Sequence, residues 1–340
     1  MSANCAGPAE APDTKKHRVE IDVSKDADPA PVFPSPLTDA AAYEHEYVHN
    51  VYSAIAEHFS STRYKAWPQV STFLEGLPPF SLVADVGCGN GKYFSAAQRL
   101  AFTPLSHTMG TPGATLEMKL KQQAEAQPSL PLVSSVPAHR YVVGLDYSEE
   151  LLRSTQRQLV DPNLHQEKRC RRLHGKGARN EGEGVATPVS EVKLPRTDTV
   201  RSDALRCPLR DGVFDAAISI AVIHHYASRE RRRLAVRELI RLIRPHGGLA
   251  LIYVWAREQR ENTKRLVNPE TGDGLVRWER SGKYDSAQQV FQRYYHFFEE
   301  GELEQLCKEA VSDDGTGRIP IAIRKSYYDK ENWCVMLERC

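Results

Sequence analysis

Leu82-Val-Ala-Asp85-Val-Gly87-Cys-Gly89-Asn-Gly91-Lys-Tyr-Phe94 is the stretch that decides the fold. Leu82, Val83, Ala84 and Val86 make a short apolar run with a β-branched core, the pattern of a buried strand. Gly87, Gly89 and Gly91 end it in a tight turn and let backbone approach a ligand closely. Lys92 to Ala97 then reads as the first turns of a helix. Strand, glycine loop and helix start together make a nucleotide-type crevice at the carboxyl end of a strand. A plain turn after a buried strand could also use three glycines, so the rest of the chain must decide.

The 340 residues suffice for one large or two small domains, and 41% hydrophobic content is enough for a real core. A net charge of +1 gives no whole-chain case for nucleic acid, so any basic surface must be local. Cysteines 5, 88, 170, 207, 307, 334 and 340 contain no C-x-x-C pair. That spacing excludes a recognisable zinc module and fits reduced thiols, and no metal site is expected. No apolar stretch approaches a membrane span, and the N-terminus lacks a charged-then-apolar leader. A soluble cytoplasmic protein, with the nucleus as a second location, is the expectation.

Residues 1–37 are rich in proline, alanine and acidic residues with few large apolar side chains, and read as a disordered tail. Order should begin at Thr38 or Asp39, either able to cap a helix. Tyr47, Val48, Val51, Tyr52, Ile55 and Phe59 then recur at helical spacing. Pro68 suits the first position of the next helix. Two stretches, about 103–138 and 161–198, lack periodicity and read as disordered insertions in a single domain spanning 38–340. The second carries Lys168, Arg169, Arg171, Arg172, Lys176 and Arg179, either a solvated loop or an RNA contact.

Between and beyond the insertions the strands resume. Tyr141–Asp146 is the second, Thr199–Ala204 the third, Val213–Ile223 the fourth and Leu249–Trp255 the fifth. The helix Arg229–Ile243 should turn Leu234, Leu239, Ile240 and Ile243 inward and its arginines outward. Residues 256–290 read as a polar excursion, Phe291–Phe298 as extended and Glu300–Val311 as a helix. Ile319–Tyr327 and Trp333–Leu337 should close the sheet as an antiparallel pair. Alternating strands and helices with one glycine crevice mean a doubly wound α/β domain. Asp85, Asp146 and Asp203 all fall at one rim of that sheet.

The glycine spacing is not the G-x-G-x-x-G of a dinucleotide fold, nor is there a Gly-Lys-Ser/Thr phosphate loop. With Asp85 two residues before Gly87, the stretch resembles the first motif of class I S-adenosylmethionine-dependent methyltransferases. The likeness extends to Val51–Ser60, Thr62–Pro68, Val86–Tyr93, Ile218–His225, Leu251–Ala256, Arg293–His296 and Asp329–Trp333. Those segments resemble the eukaryotic tRNA wobble-uridine methyltransferases. The resemblance implies a Rossmann-like seven-stranded sheet with helices on both faces, in the order 3-2-1-4-5-7-6. It also implies methylation of the carboxylate of 5-carboxymethyluridine in the tRNA anticodon loop, with S-adenosyl-L-methionine as cofactor. A small zinc-binding activator subunit would be the partner, docked at the open sheet edge near Thr199–Ala204.

By the same resemblance, Asp85, Gly87, Cys88, Gly89, Asn90 and Gly91 hold the methionine end of the cofactor. Asp146, followed by Tyr147 and Ser148, takes the ribose hydroxyls, two acceptor oxygens for a vicinal diol. Asp203 and Ala204 meet the adenine, and Ala221 completes the cofactor set. His224 and His225 follow the fourth strand beside the expected methyl position, either able to donate to the carboxylate or uracil. Arg63, Arg229, Arg232, Tyr295 and His296 are further substrate-side candidates. An ionised carboxylate needs no general base, so a carboxylate clamp is expected in place of a proton acceptor. Two other readings share much of this pattern: a methyltransferase for a small molecule or protein, and a non-catalytic RNA-binding scaffold.

Overall fold

Leu82–Val86 (β1) is an interior strand of the main sheet because its side chains other than Asp85 are apolar towards both faces; Val83, Ala84 and Val86 are buried. In the computed structural model the described residues are 39–98, 140–160, 196–258, 266–280, 289–312 and 319–340. They fall within one compact unit, Ser35–Cys340. The expected tail at 1–37 and the insertion at 103–138 lie outside the described residues. So does the insertion at 161–198, except its last residues.

The described residues begin with α1 (Ala40–Glu44), a π-helical turn (His45–His49) and α2 (Asn50–Thr62), one helical run that opens at Asp39, as expected, and extends a little past Phe59. Asp39 caps it, accepting the Ala42 N–H at 3.0 Å. Next come α3 (Pro68–Gly76, with proline first), α4 (Phe94–Gln98), β2 (Tyr141–Asp146) and α5 (Glu149–Val160). β3 (Thr197–Arg201) begins and ends earlier than its sequence suggests, leaving Asp203 and Ala204 in the turn after it. β4 (Ala216–Ile220) leads into a 3-10 turn (Ile223–His225), then α6 (Arg229–Leu242) and β5 (Gly248–Trp255).

Residues 256–290 are not simply an excursion. β6 (Leu266–Val267) and β7 (Asp273–Glu279) pair antiparallel with β8 (Val290–His296) in a separate three-stranded sheet. The polarity of the segment hid them, because β7 buries only Gly274 and Trp278. α7 (Glu302–Ala310), β9 (Ile321–Asp329) and β10 (Asn332–Arg339) finish the chain. The main sheet runs β3-β2-β1-β4-β5-β10-β9, parallel up to β5 and antiparallel beyond it. Counted within that sheet this is the expected order 3-2-1-4-5-7-6.

Helices cover both faces. α6 and α7 pack through Val236, Leu239, Ile240, Leu303 and Leu306, while α3, α4 and α5 pack through Val70, Leu74, Phe94 and Leu152. Each such side chain contributes roughly 1.5–3 kcal/mol on burial. On α6 the inward stripe is Arg232, Ala235, Val236, Leu239 and Ile240; Leu234 falls off that stripe and is 36% exposed. The small sheet rests on α2, where Trp278 and Phe291 meet Val51 and Ile55. It is pinned to β5 by the Phe298 N–H donating to the Trp255 carbonyl at 2.9 Å. The N-terminal helices and the small sheet therefore roof the carboxyl ends of the parallel strands.

Candidate functional site

The loop after β1 is held by the strand beside it. Gly87 and Cys88 both donate to the Leu145 carbonyl, at 2.7 and 2.9 Å. Gly87 has φ +80°, and a Cβ there would run into the Val222 side chain, so only glycine fits. Asp146 holds the loop from the side: Oδ2 accepts the Gly89 N–H at 2.8 Å and Oδ1 the Ser148 N–H at 2.9 Å. Asn90 donates to the Ser60 and Arg63 carbonyls at 3.4 and 3.3 Å, fastening the loop to the end of α2.

One cavity opens here, lined by Asp85, Gly87, Cys88, Gly89, Asn90, Asp146, Tyr147, Ser148, Asp203, Ala204 and Ala221. Gly91 is not in its lining; it turns the chain behind the loop against Thr155 and Phe94. Asp85 is 1% exposed, and its Oδ2 has no hydrogen-bond partner among the described residues. Burial pushes its carboxyl up to about 7 against the pull of Lys92, with Asp146 adding to the rise. Burial likewise brings the Lys92 ammonium down to about 8, opposed by Asp85. A buried carboxylate oxygen lacking a donor suits a ligand ammonium, and the neighbouring Lys92 and Arg63 suit a ligand carboxylate. This donor set fits the amino-acid end of S-adenosylmethionine. Ala221 closes the wall at the end of β4 in a left-handed conformation (φ 63°) that costs a non-glycine residue about 1–2 kcal/mol.

The other end of the cavity is lined by Tyr52, His224, His225, Trp255, Arg293 and Tyr295, and Arg63, which acts on Lys92 and lies over Trp278 at 5.6 Å, stands between the two ends. The hydrogen bonds fix both histidine tautomers. His225 Nδ1 lies 2.8 Å from the Tyr294 carbonyl, which can only accept, so that nitrogen carries the proton. Nε2 then accepts from the Tyr52 hydroxyl at 3.0 Å. Burial holds this ring down at about 3, so it stays neutral. His224 Nδ1 accepts the Trp255 N–H at 3.0 Å, which leaves the proton of the neutral ring on Nε2. Of the two, His224 carries its proton on Nε2, and His225 is engaged at both ring nitrogens, by the Tyr294 carbonyl and the Tyr52 hydroxyl. The Tyr295 ring stacks on Trp255 with centroids 4.2 Å apart, and its hydroxyl lies 3.3 Å from that of Tyr52.

Three expected residues lie elsewhere. Arg229 pairs with Glu309 and Glu302 at 3.0 and 3.4 Å, tying α6 to α7 on the surface. Arg232 is 6% exposed but donates to the Tyr226 carbonyl at 2.9 Å with its guanidinium over Phe298, a packing role. His296 bridges Asp273 and Glu302 at 2.9 and 2.8 Å, linking β7, β8 and α7. None of the three lines the cavity.

The lining also includes residues that the sequence reading passed over: Glu44, His49, Tyr52, Lys92, Trp255 and Arg293. Glu44, 1% exposed, takes Arg231 at 2.7 Å and the Ala227 N–H at 2.7 Å, stapling α1 to the start of α6. His49 stacks on Tyr147 at 3.8 Å over the ribose-side wall. Arg293 had a signal in the sequence, since strand alternation puts it on the same face as Tyr295.

Residues 125–251 match a methyltransferase-domain family. The tRNA (carboxymethyluridine(34)-5-O)-methyltransferase of Schizosaccharomyces pombe is 32% identical over 311 residues, 87% of this chain and 98% of that one. The protein of the same name from Saccharomyces cerevisiae is 27% identical, over 89% of this chain and 99% of its own. The tRNA (carboxymethyluridine(34)-5-O)-methyltransferase alkbh8 of Xenopus tropicalis is 32% identical over 88% of this chain. The chain spans only 42–46% of the length of such vertebrate relatives.

Proposed function

The chain belongs to the family of tRNA (carboxymethyluridine(34)-5-O)-methyltransferases, and from that premise we propose that it methylates the side-chain carboxylate of 5-carboxymethyluridine at the tRNA wobble position. The product is the methyl ester. The observation that carries this reading is the lack of a proton acceptor among the histidines at the substrate end. The His225 lone pair is taken by Tyr52 and that of His224 by the Trp255 N–H. An amine or hydroxyl nucleophile has to lose a proton during methylation. A carboxylate, ordinarily near pKa 4, arrives ionised and needs only to be placed.

S-adenosylmethionine, when bound, supplies a methyl group on a positively charged sulfur. Asp85, Lys92 and Arg63 would hold its amino-acid end, Asp146 its ribose and Asp203 its adenine amine. With substrate in place, the roof of N-terminal helix and small sheet would limit the access of water, which strengthens the attraction between substrate carboxylate and sulfonium. His224 donates through Nε2–H and orients the carboxylate or the uracil. Positioning can supply most of the rate enhancement in such a transfer.

The premise extends to a partner, a small zinc-binding activator docked on the edge at β3. The support is positional: β3 ends the main sheet and offers backbone groups to strand addition. The function is tested by incubating the purified chain, with activator, with methyl-labelled S-adenosylmethionine and tRNA bearing 5-carboxymethyluridine. Label should enter the wobble nucleoside and be released by mild alkali, as an ester requires. Alkali-stable label, on a ring carbon or nitrogen, would contradict the reading.

A further inference from the structure

Arg293 is a buried cation whose counter-charge is missing. It is 5% exposed, lines the cavity, and forms no ion pair with a carboxylate among the described residues. Its Nε has no hydrogen-bond partner there, and Nη1 reaches only the Tyr52 hydroxyl at 3.5 Å. The guanidinium lies over Trp278 at 4.6 Å and Tyr295 at 5.3 Å, so its plane is held by aromatic rings and not by an anion. A buried charge left this way is costly unless a ligand completes it. The Tyr52 proton is already committed to His225, so this hydroxyl serves Arg293 as an acceptor and leaves the guanidinium's remaining N–H groups to a ligand.

Two anions could enter the cavity, the carboxylate of the methyl donor and that of the substrate. Lys92 is the cation acting on Asp85, at the amino-acid end of the donor, and Arg63 acts on Lys92. Arg293 instead acts on His225 and neighbours Tyr52 and Tyr295, on the substrate side. Resting on the function proposed above, the geometry points to Arg293 as the residue that holds the uridine side-chain carboxylate, in a forked contact that selects an acid over its neutral analogues. A guanidinium gives two parallel donors to a carboxylate, whereas a lysine ammonium gives a point charge. Arg293 thus sets specificity for the acid as well as its orientation.

The test measures binding to short anticodon stem-loop RNAs that differ at one group, 5-carboxymethyluridine or its carboxamide, with S-adenosylhomocysteine present. The wild-type protein should prefer the acid by about tenfold or more. Arg293→Gln should bind both RNAs alike while keeping its affinity for S-adenosylhomocysteine. Should that variant fold poorly, Arg293→Lys keeps the charge without the fork. It should lose about tenfold on the acid RNA and little on the amide. Persistent preference in Arg293→Gln, or full acid affinity in Arg293→Lys, would overturn the assignment. So would a drop in S-adenosylhomocysteine affinity with the preference intact, which places Arg293 on the donor. A wild-type protein that binds neither RNA would instead overturn the proposed function itself.

Discussion

The Tyr52 hydroxyl donates to His225 Nε2 at 3.0 Å, because the other ring nitrogen spends its proton on the Tyr294 carbonyl. This bond joins α2 to the turn after β4 under the roof of the cavity, and it requires a neutral imidazole. Burial holds His225 at about 3 and His49 at about 4, both below the ordinary 6.5. The unfolded chain therefore takes up more protons than the folded one below pH 6.5. This contribution to stability is complete above that pH and is lost as pH falls towards the folded values, by up to about 1.4 kcal/mol per pH unit per site. Denaturant midpoints of wild type and His225→Gln, followed from pH 7 to 4, should diverge, the variant falling less steeply. Parallel curves would show that His225 is not held neutral.

Asp146 is expected to matter twice. It accepts two backbone N–H groups of the loops beside it, and on the proposed reading it would also take the ribose hydroxyls. Asp146→Ala should therefore weaken cofactor binding by at least about a hundredfold and lower stability by about 1–3 kcal/mol. Calorimetry and thermal unfolding read the two effects separately. Near-normal affinity for S-adenosylmethionine would remove Asp146 from the cofactor site.

Asp85 stands at about 7 without a cation against its free oxygen. A ligand ammonium there favours the ionised carboxylate, so binding should release a proton near pH 7. Affinity should rise with pH between about 6 and 7.5, by no more than tenfold per unit. Titrations in two buffers of different ionisation enthalpy count the proton. Asp85→Asn should bind weakly with no release; a release unchanged in that variant would place the titrating group elsewhere.

On β3, the Ser202 N–H donates to Asp146 and the Arg196 carbonyl accepts from Val142. Even-numbered residues therefore face β2, and the Arg201 N–H faces the open edge. Val200→Pro would cut the sheet's own ladder, whereas Arg201→Pro removes an outward donor. Arg201→Pro should reduce co-purification of the activator while leaving the melting temperature within a few degrees. Unchanged co-purification would put the partner on another surface.

Much of the fold was legible because the central parallel strands are buried on both faces and announce themselves as apolar runs. Val83–Val86, Ala216–Ile220 and Gly248–Val254 needed no tertiary information. The small sheet was missed because β7 shows only Trp278 as a large buried side chain among charged neighbours. The acids at the glycine-loop end of the cavity were legible for a local reason too, since Asp85, Asp146 and Asp203 lie in or just beyond the carboxyl ends of strands. The substrate end is assembled from α2, the turn after β4 and β8, far apart in sequence. Arg232 and His296 look like Arg293 and Tyr295 on paper. Only burial against Phe298, or between Asp273 and Glu302, tells the packing residues from those lining the cavity.

The central claim, methylation of a wobble-uridine carboxylate, is tested most directly by mass spectrometry of wobble nucleosides from cells lacking the protein. 5-Methoxycarbonylmethyluridine should disappear and 5-carboxymethyluridine, or a product formed from it, accumulate. Return of the chain should restore the ester, and return of Asp85→Asn should not. An unchanged ester content in cells lacking the protein would contradict the account.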